Sequence, residues 1–345
     1  MKVDQRMFKI LVLVSAGILA APFSFGKTVS QNFTSDPLQN GWHQFGNINL
    51  FHWNPANQNV EVTWDSRESN SFFYLPLGTS LTRNDDFSLE FDLLLNDIAS
   101  GIEPGKTGGL EIGFGFFDFV TATNPAFMRG SFGAVSNLVE FDYFPKGSFE
   151  FGGQTFDVAA TTTPTFISTN SSDYAPTIFA PYIMELPTNT VVHIQMSFTA
   201  TNQTLVTLLT TNGSVMFAPP NVVLTDTNSS GFTAADDYRV DTFSITSYSS
   251  AGDDFDSVLG HGIVDNVVLS YPLPIENLTG FLSNSVWQVS FSSRNNWTYT
   301  LERTTDFQSW LSVSPTVSGD GLVSHLEDSS PPPQRAFYRI RATRQ

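Results

Sequence analysis

The chain has 345 residues, a formal net charge of −17 and no cysteine. This length predicts two domains, and a hydrophobic content of 41% excludes a disordered chain. The acidic charge argues against nucleic acid as a partner because phosphates carry the same sign, and the fold must hold without disulfides.

The N-terminal segment, residues 1–26, has the pattern of a cleaved secretory signal. Lys2, Arg6 and Lys9 form a positive start, an apolar run extends from Ile10 to Ala20, and small residues follow. The run is shorter than the roughly 20 apolar residues that a spanning helix needs. The sequence therefore predicts a protein that is secreted or displayed on a bacterial surface, with no transmembrane segment after cleavage.

Residues 27–272 contain short alternating apolar and polar runs, separated by Gly, Asn, Asp, Ser and Pro. This pattern predicts an all-β domain built from two packed sheets or a jelly roll. The predicted strands are Asn59–Trp64, Ser71–Leu75, Phe87–Leu95, Gly109–Phe117, Leu138–Phe144, Val191–Thr199, Leu205–Thr210, Tyr238–Tyr248 and Gly262–Tyr271.

A linker with two prolines, Tyr271-Pro272-Leu273-Pro274, predicts the end of this domain. Residues 273–345 then show a second β pattern, which predicts a small C-terminal module. Its predicted strands are Val286–Phe291, Trp297–Arg303 and Ala336–Ala342. Most of the acidic excess lies in residues 27–272, because the module carries equal numbers of acidic and basic residues.

Glu140 and Asp142 are the first candidate site residues. Side chains alternate along a strand, so both carboxylates project from one face of the strand Leu138–Phe144. Charges are costly to bury unpaired, which leaves four interpretations open: a cation site, contacts to sugar hydroxyls, a catalytic pair, or a partly solvated polar face. Tyr143 and Trp53 are the predicted aromatic contacts, since Tyr and Trp combine an apolar ring with a polar group.

Calcium is the one cofactor that the sequence suggests. Asp226, Asn228 and Ser230 offer oxygen ligands at positions 1, 3 and 5 of a loop, and Gly231 follows at position 6. Asp237 falls at position 12, where calcium loops have a carboxylate. A polar surface turn between strands is the alternative, because position 12 normally holds Glu and no flanking helices are predicted.

Several segments of residues 31–272 resemble the concanavalin-A-like lectin and glucanase superfamily. Leu138-Val139-Glu140-Phe141-Asp142 is similar to the Val-Glu-Phe-Asp strand of legume-type lectins, and Gly262–Leu269 matches their common Asp-Asn-Val ending. The resemblance implies a jelly-roll β-sandwich. In the lectins, the aspartate that matches Asp142 helps to hold calcium and manganese, but here Tyr143-Phe144-Pro145-Lys146-Gly147 replaces the partners that follow it.

The glucanase branch of the same superfamily carries three carboxylates on the corresponding strand. Glu140 and Asp142 fit the first two places, whereas the third falls on Phe144 or Pro145, and neither can transfer a proton. The C-terminal module resembles small β modules of exported bacterial proteins. The sequence therefore favours a non-catalytic carbohydrate-binding protein. A hydrolase or lyase with a different residue set, and a structural or adhesive protein, remain the alternatives, and the oligomeric state is open.

Overall fold

The computed structural model describes residues 26–345 apart from 130–134, 152–153, 173–174, 180, 225–232, 234 and 334. All but the last residue of the predicted signal segment lie outside the described part of the chain. Among the described residues, no helix has the length and apolarity that crossing a bilayer requires. Strands are numbered β1 to β26 in chain order.

Two antiparallel sheets form the large domain, which confirms the predicted all-β sandwich. The sheet here called the back sheet has the strand order β16-β15-β14-β6-β19-β4-β3, with β1 paired to β19 and β17 paired to β15. Its strands are β1 (Lys27–Gln31), β3 (Phe51–Asn54), β4 (Asn59–Asp65), β6 (Phe87–Ser100), β14 (Val191–Thr199), β15 (Thr204–Thr211), β16 (Ser214–Phe217), β17 (Val222–Val223) and β19 (Val258–Tyr271).

The other sheet, here called the front sheet, has the order β12-β11-β8-β7-β18-β5-β2, with β13 paired to β11. Its strands are β2 (His43–Phe45), β5 (Ser71–Leu81), β7 (Ile112–Phe117), β8 (Leu138–Phe144), β11 (Thr161–Ser172), β12 (Ala175–Phe179), β13 (Tyr182–Ile183) and β18 (Val240–Ser247). The hairpin of β9 (Gly147–Phe151) and β10 (Gln154–Val158), helix α1 (Phe119–Ala122) and 3-10 turns at Pro37–Gln39, Ile48–Leu50 and Ser250–Gly252 complete the domain.

Aromatic rings from both sheets fill the space between them. Phe91 of the back sheet stacks on Phe114 of the front sheet at 4.6 Å between ring centroids, and it meets the edge of Phe141 at 6.3 Å. Every second residue of these strands contributes to the core, so the intervening residues face outward. This alternation decides which face of the front sheet carries Glu140 and Asp142.

The C-terminal module has two small sheets and a core of its own, made by residues such as Phe291, Tyr299 and Leu301. Its strands are β20 (Glu276–Ser283), β21 (Val286–Ser292), β22 (Trp297–Thr304), β23 (Leu311–Ser312), β24 (Val317–Ser318), β25 (Val323–Asp328) and β26 (Phe337–Arg344). The Tyr299 hydroxyl donates to the carbonyl of Pro274, which fixes the linker against the module.

Candidate functional site

The predicted carboxylates lie on the outer face of the front sheet. Phe141, between them on β8, contacts Phe91 in the core, so Glu140 and Asp142 project away from the back sheet. Both are nevertheless buried, with 1% and 0% of their surface exposed. Arg129, in the segment between α1 and β8, contacts both carboxylates and compensates their charge.

Arg129 is itself 2% exposed. Its Nη2 donates to Glu140 Oε1 and to Asp142 Oδ2, both at 2.8 Å, and its Nε donates to Glu140 Oε1 at 3.1 Å. The guanidinium also lies 5.4 Å from the centre of the Tyr248 ring. One cation thus bridges both carboxylates, which is the arrangement that makes their burial tolerable.

Neutral side chains satisfy further oxygens of the pair. The Tyr248 hydroxyl donates to Glu140 Oε2 at 2.7 Å, and the Thr165 hydroxyl donates to Asp142 Oδ2 at 2.6 Å. These groups come from β11 and from the end of β18, on either side of β7 and β8. The cluster is therefore held by side chains from several strands and from the segment between α1 and β8.

Glycines on the neighbouring strand make room for the carboxylates. In the β7–β8 register, Gly113 lies opposite Asp142 and Gly115 lies opposite Glu140. A Cβ at Gly113 would approach Glu140 Oε2 to 2.8 Å, and one at Gly115 would approach the Glu140 Cβ to 2.5 Å. The alternating Gly-Phe-Gly sequence of β7 thus buries Phe114 inside and leaves space outside.

A third carboxylate, Glu111, joins the cluster, and the sequence analysis missed it. Its Oε1 lies 3.0 Å from Arg129 Nε, and it is 2% exposed. The Nε hydrogen is directed at Glu140, so Glu111 Oε1 has an electrostatic contact but no hydrogen bond among the described residues. The signal was its spacing from Gly113 and Gly115, which places all three residues on one face.

Burial dominates the electrostatics of this cluster, here called the Arg129 cluster (Glu111, Arg129, Glu140 and Asp142). It raises the pKa of Glu111 to about 6 even though Arg129 opposes the change. Burial also raises the pKa of Glu140, and it raises that of Asp142 well above the usual range, with the Glu140 charge adding to the effect. Asp142 Oδ1 has no hydrogen-bond partner among the described residues. Burial therefore favours the protonated, neutral form of the carboxyl groups in this cluster.

The other two predicted ligand residues lie elsewhere. Tyr143 faces the core, where burial raises its pKa to about 12. Trp53 is on β3 of the back sheet, and its Nε1 donates to the Phe33 carbonyl at 2.9 Å. Of the four predicted ligand residues, the structure brings only Glu140 and Asp142 together. Their contact with a ligand stays a prediction, because the contacts described for their oxygens are to protein groups.

Three of the four predicted calcium ligands, Asp226, Asn228 and Ser230, lie outside the described residues. The fourth, Asp237, accepts hydrogen bonds at Oδ1 from the backbone N–H groups of Arg83 and Tyr238. Within the described part of the chain, no three His, Asp or Glu residues are placed to hold a metal ion. Calcium binding stays a prediction.

A cavity of about 330 Å³, here called the front pocket, opens beside the Arg129 cluster. Asn70 closes one side, because its Nδ2 donates to the Phe127 carbonyl and its Oδ1 accepts from the Ser249 N–H. Arg129 follows the pocket residue Met128, so its ion pairs fix that wall. The lining combines apolar and amide side chains, including Phe45, Asn70, Asn124, Phe127 and Met128.

The chain is similar to solved lectin and glucanase sandwiches. A peanut lectin matches at 18% identity with a TM-score of 0.40, covering 70% of this chain and 98% of the lectin. Lectin II from Ulex europaeus matches at 11% identity and 0.39, covering 72% and 100%. An endo-1,3-β-glucanase from Streptomyces sioyaensis matches at 10% identity and 0.40, covering 74% and 99%.

At such identities the likeness concerns the fold alone. No protein-family model and no curated protein sequence matches the chain.

Proposed function

We propose that the large sandwich is a non-catalytic carbohydrate-binding domain of an exported protein, with the front pocket as its ligand site. The observation that carries the proposal is the bridging of Glu140 and Asp142 by Arg129. It commits the carboxylates to holding the wall of a pocket, where they have almost no exposed surface with which to transfer a proton to a substrate. Export is supported by the signal pattern of residues 1–26.

The front pocket suits a neutral sugar for two reasons. Its partly exposed aromatic ring, Phe45, offers an apolar face, and Asn124 offers an exposed amide group at the rim. Sugar rings have apolar faces and polar edges, so this combination matches both. The acidic domain around the pocket disfavours anionic ligands.

A glycan array with the full mature chain tests this proposal. Phe45→Ala and Asn124→Ala should each remove most of the retention on the glycans that bind the wild type. Val206→Ala, which changes an exposed apolar residue on the back sheet, should leave retention unchanged. An array that stays blank for the wild type contradicts the proposal and favours a structural or adhesive protein.

A polysaccharide hydrolase is the second candidate, because three carboxylates gather on one face and Glu111 has a pKa of about 6, within the range of a general acid. In that case the wild type should release reducing ends from a polysaccharide panel, and Glu140→Gln should abolish the release. Absence of cleavage by the wild type across the panel removes this candidate.

Calcium binding is an additional proposal that rests on the spacing of residues 226–237. A bound ion stabilises the native state by mass action. Millimolar calcium should therefore raise the Tm of the wild type and should not raise that of Asp226→Ala. An equal Tm with calcium and with a chelator removes the ion from the proposal.

A further inference from the structure

We propose that the cleft between the large sandwich and the C-terminal module is a second binding site, for a neutral, multiply hydroxylated ligand of the oligosaccharide class. This interdomain cleft has a volume of about 340 Å³. It lies between the turn that joins β5 to β6 and the loop that joins β21 to β22. Its principal lining residues are Asn84, Asp85, Glu276, Arg294, Asn295 and Asn296. The inference does not depend on the front pocket.

The walls of the cleft are fixed relative to each other by Arg344, at the end of β26. Its Nη1 donates to the Thr82 hydroxyl at 3.0 Å, and its Nη2 donates to the Ser80 carbonyl at 2.8 Å and to Asp85 Oδ2. Its guanidinium also lies 4.6 Å from the centre of the Trp297 ring. The module is thereby attached to the β5–β6 turn, so the cleft is formed before a ligand arrives.

Each charged group of the cleft forms an ion pair through one atom and has a second polar atom without a hydrogen bond among the described residues. Arg294 Nη2 contacts Glu276 Oε1, and Arg294 Nε donates to the Leu273 carbonyl at 2.8 Å. Within the described part of the chain, no hydrogen bond involves Arg294 Nη1, Glu276 Oε2 or Asp85 Oδ1. Each pair therefore holds its partners in place and leaves a donor or an acceptor for a ligand.

The same pairing sets the charge of the site. Asp85 pairs with Arg344 and Glu276 pairs with Arg294, so the four charges cancel. An anion would meet two carboxylates, and a cation would meet two guanidinium groups. An apolar ligand would leave the open polar atoms without partners, which is costly. These considerations leave a neutral polar ligand.

Three asparagine amides add further hydrogen-bonding groups to the cleft. The side chains of Asn84, Asn295 and Asn296 are exposed, and none of them makes a side-chain hydrogen bond to another described residue. Each amide has both donors and an acceptor, as a hydroxyl group does. Gly321 lines the same side, and its φ of +80° is a backbone conformation that favours glycine. A ligand with several adjacent hydroxyls matches this arrangement.

The experiment titrates the full mature chain with neutral cello-, laminari-, xylo- and manno-oligosaccharides, and with a charged oligogalacturonate, by isothermal titration calorimetry. At least one neutral oligosaccharide should bind, and the double variant Asn84→Ala with Asn295→Ala should raise its Kd about 4- to 100-fold, because each lost hydrogen bond changes affinity by about 2- to 10-fold. Asn202→Ala, an exposed asparagine between β14 and β15, is the matched control and should leave Kd unchanged.

Hydrogen exchange of the complex separates this site from the front pocket. A ligand in the interdomain cleft should protect residues 82–86 together with 292–296, and Phe45→Ala should not alter that protection. Protection confined to residues 45 and 122–128 would overturn this inference and support the front pocket alone. Preference for the oligogalacturonate, or no binding by any neutral oligosaccharide, would also overturn it.

Discussion

The triplet Glu-Phe-Asp occurs twice in the large sandwich, once in each sheet, with opposite outcomes. Glu90-Phe91-Asp92 lies on β6 of the back sheet and Glu140-Phe141-Asp142 lies on β8 of the front sheet. Their phenylalanines meet across the core at 6.3 Å. The two pairs of carboxylates therefore project in opposite directions, away from the core between the sheets. They differ in the groups that cover them.

The back-sheet triplet faces solvent, and its hydrogen-bond partners are amide and imidazole side chains. Gln195 Nε2 donates to Glu90 Oε1, His193 Nδ1 shares a hydrogen bond with Asp92 Oδ1, and Asn266 Nδ2 donates to Asp92 Oδ2, all at 2.8 Å. The two carboxylates are 30% and 25% exposed. Water therefore reaches both carboxylates, whereas Arg129 replaces water for the front-sheet triplet. The same tripeptide can therefore form either a solvated surface or a buried ion cluster.

The largest expected difference follows from removing the buried cation. Arg129→Met should lower the free energy of unfolding by about 3–5 kcal/mol, because it leaves buried carboxylates without their partner. Urea unfolding followed by tryptophan fluorescence measures the change. Arg67→Met, which removes an exposed partner of Asp65, is the control and should have little effect. Equal losses in the two variants would mean that the Arg129 cluster is solvated.

The two triplets can be compared directly by the same substitution. Glu140→Gln should cost about 2–4 kcal/mol, because Glu140 accepts two hydrogen bonds from Arg129 and one from Tyr248. Glu90→Gln should cost less than about 1 kcal/mol, since its partner Gln195 is neutral and water remains available. Thermal unfolding of both variants provides the test, and a larger loss for Glu90→Gln contradicts the comparison.

Much of the fold was predictable from alternation along the chain. The strands Leu138–Phe144 and Val191–Thr199 were predicted with the bounds that the structure gives them. The predicted C-terminal end of β5 was wrong. The prediction stopped at Leu75, whereas the strand continues through Pro76 to Leu81. Proline is tolerated there because the ladder with β18 shifts register between Pro76 and Leu81.

The Arg129 cluster was only half predictable. Alternation placed Glu140 and Asp142 on one face, but the burial of that face depends on Arg129, which lies in a connecting segment without periodicity. Glu111 was missed because it comes close to Glu140 and Asp142 through the β7–β8 register, and spacing along a single strand does not show that register. A third carboxylate was expected at Phe144 or Pro145 along β8, whereas Glu111 directly precedes the neighbouring strand β7.

The pH dependence of stability should next distinguish the Arg129 cluster from the exposed triplet of the back sheet. Burial raises the pKa of Glu111 from 4.5 to about 6, so the native state binds more protons than the unfolded state between these values. Stability should therefore fall as pH rises through roughly 4.5 to 6, by about 2 kcal/mol for this group, and then level off. Glu111→Gln should remove that part of the decline. Urea midpoints across this range provide the measurement.

Another buried carboxylate titrates close to this range. Burial raises the pKa of Asp256 to about 7, and the Asp253 and Glu111 charges add to the effect, so its decline has the same direction and Glu111→Gln should weaken it as well. Hydrogen bonds lower the pKa of Asp306 to about 2, so its contribution changes below the tested range. Identical slopes for wild type and Glu111→Gln would show that Glu111 is solvated in the folded chain.

The smallest expected effect is the response to salt. Exposed interactions weaken when the screening length falls to a few ångströms at high ionic strength, whereas buried pairs are screened much less. Raising NaCl from about 0.05 M to about 1 M should shrink the already small penalty of Arg67→Met, which removes the exposed ion pair with Asp65, and leave that of Arg129→Met nearly unchanged. The penalties come from unfolding each variant and the wild type in the same salt, so effects of salt on the rest of the chain cancel. If the Arg129→Met penalty fell as steeply as that of Arg67→Met, ions would have access to the Arg129 cluster, and its carboxylates would be open to a ligand as well.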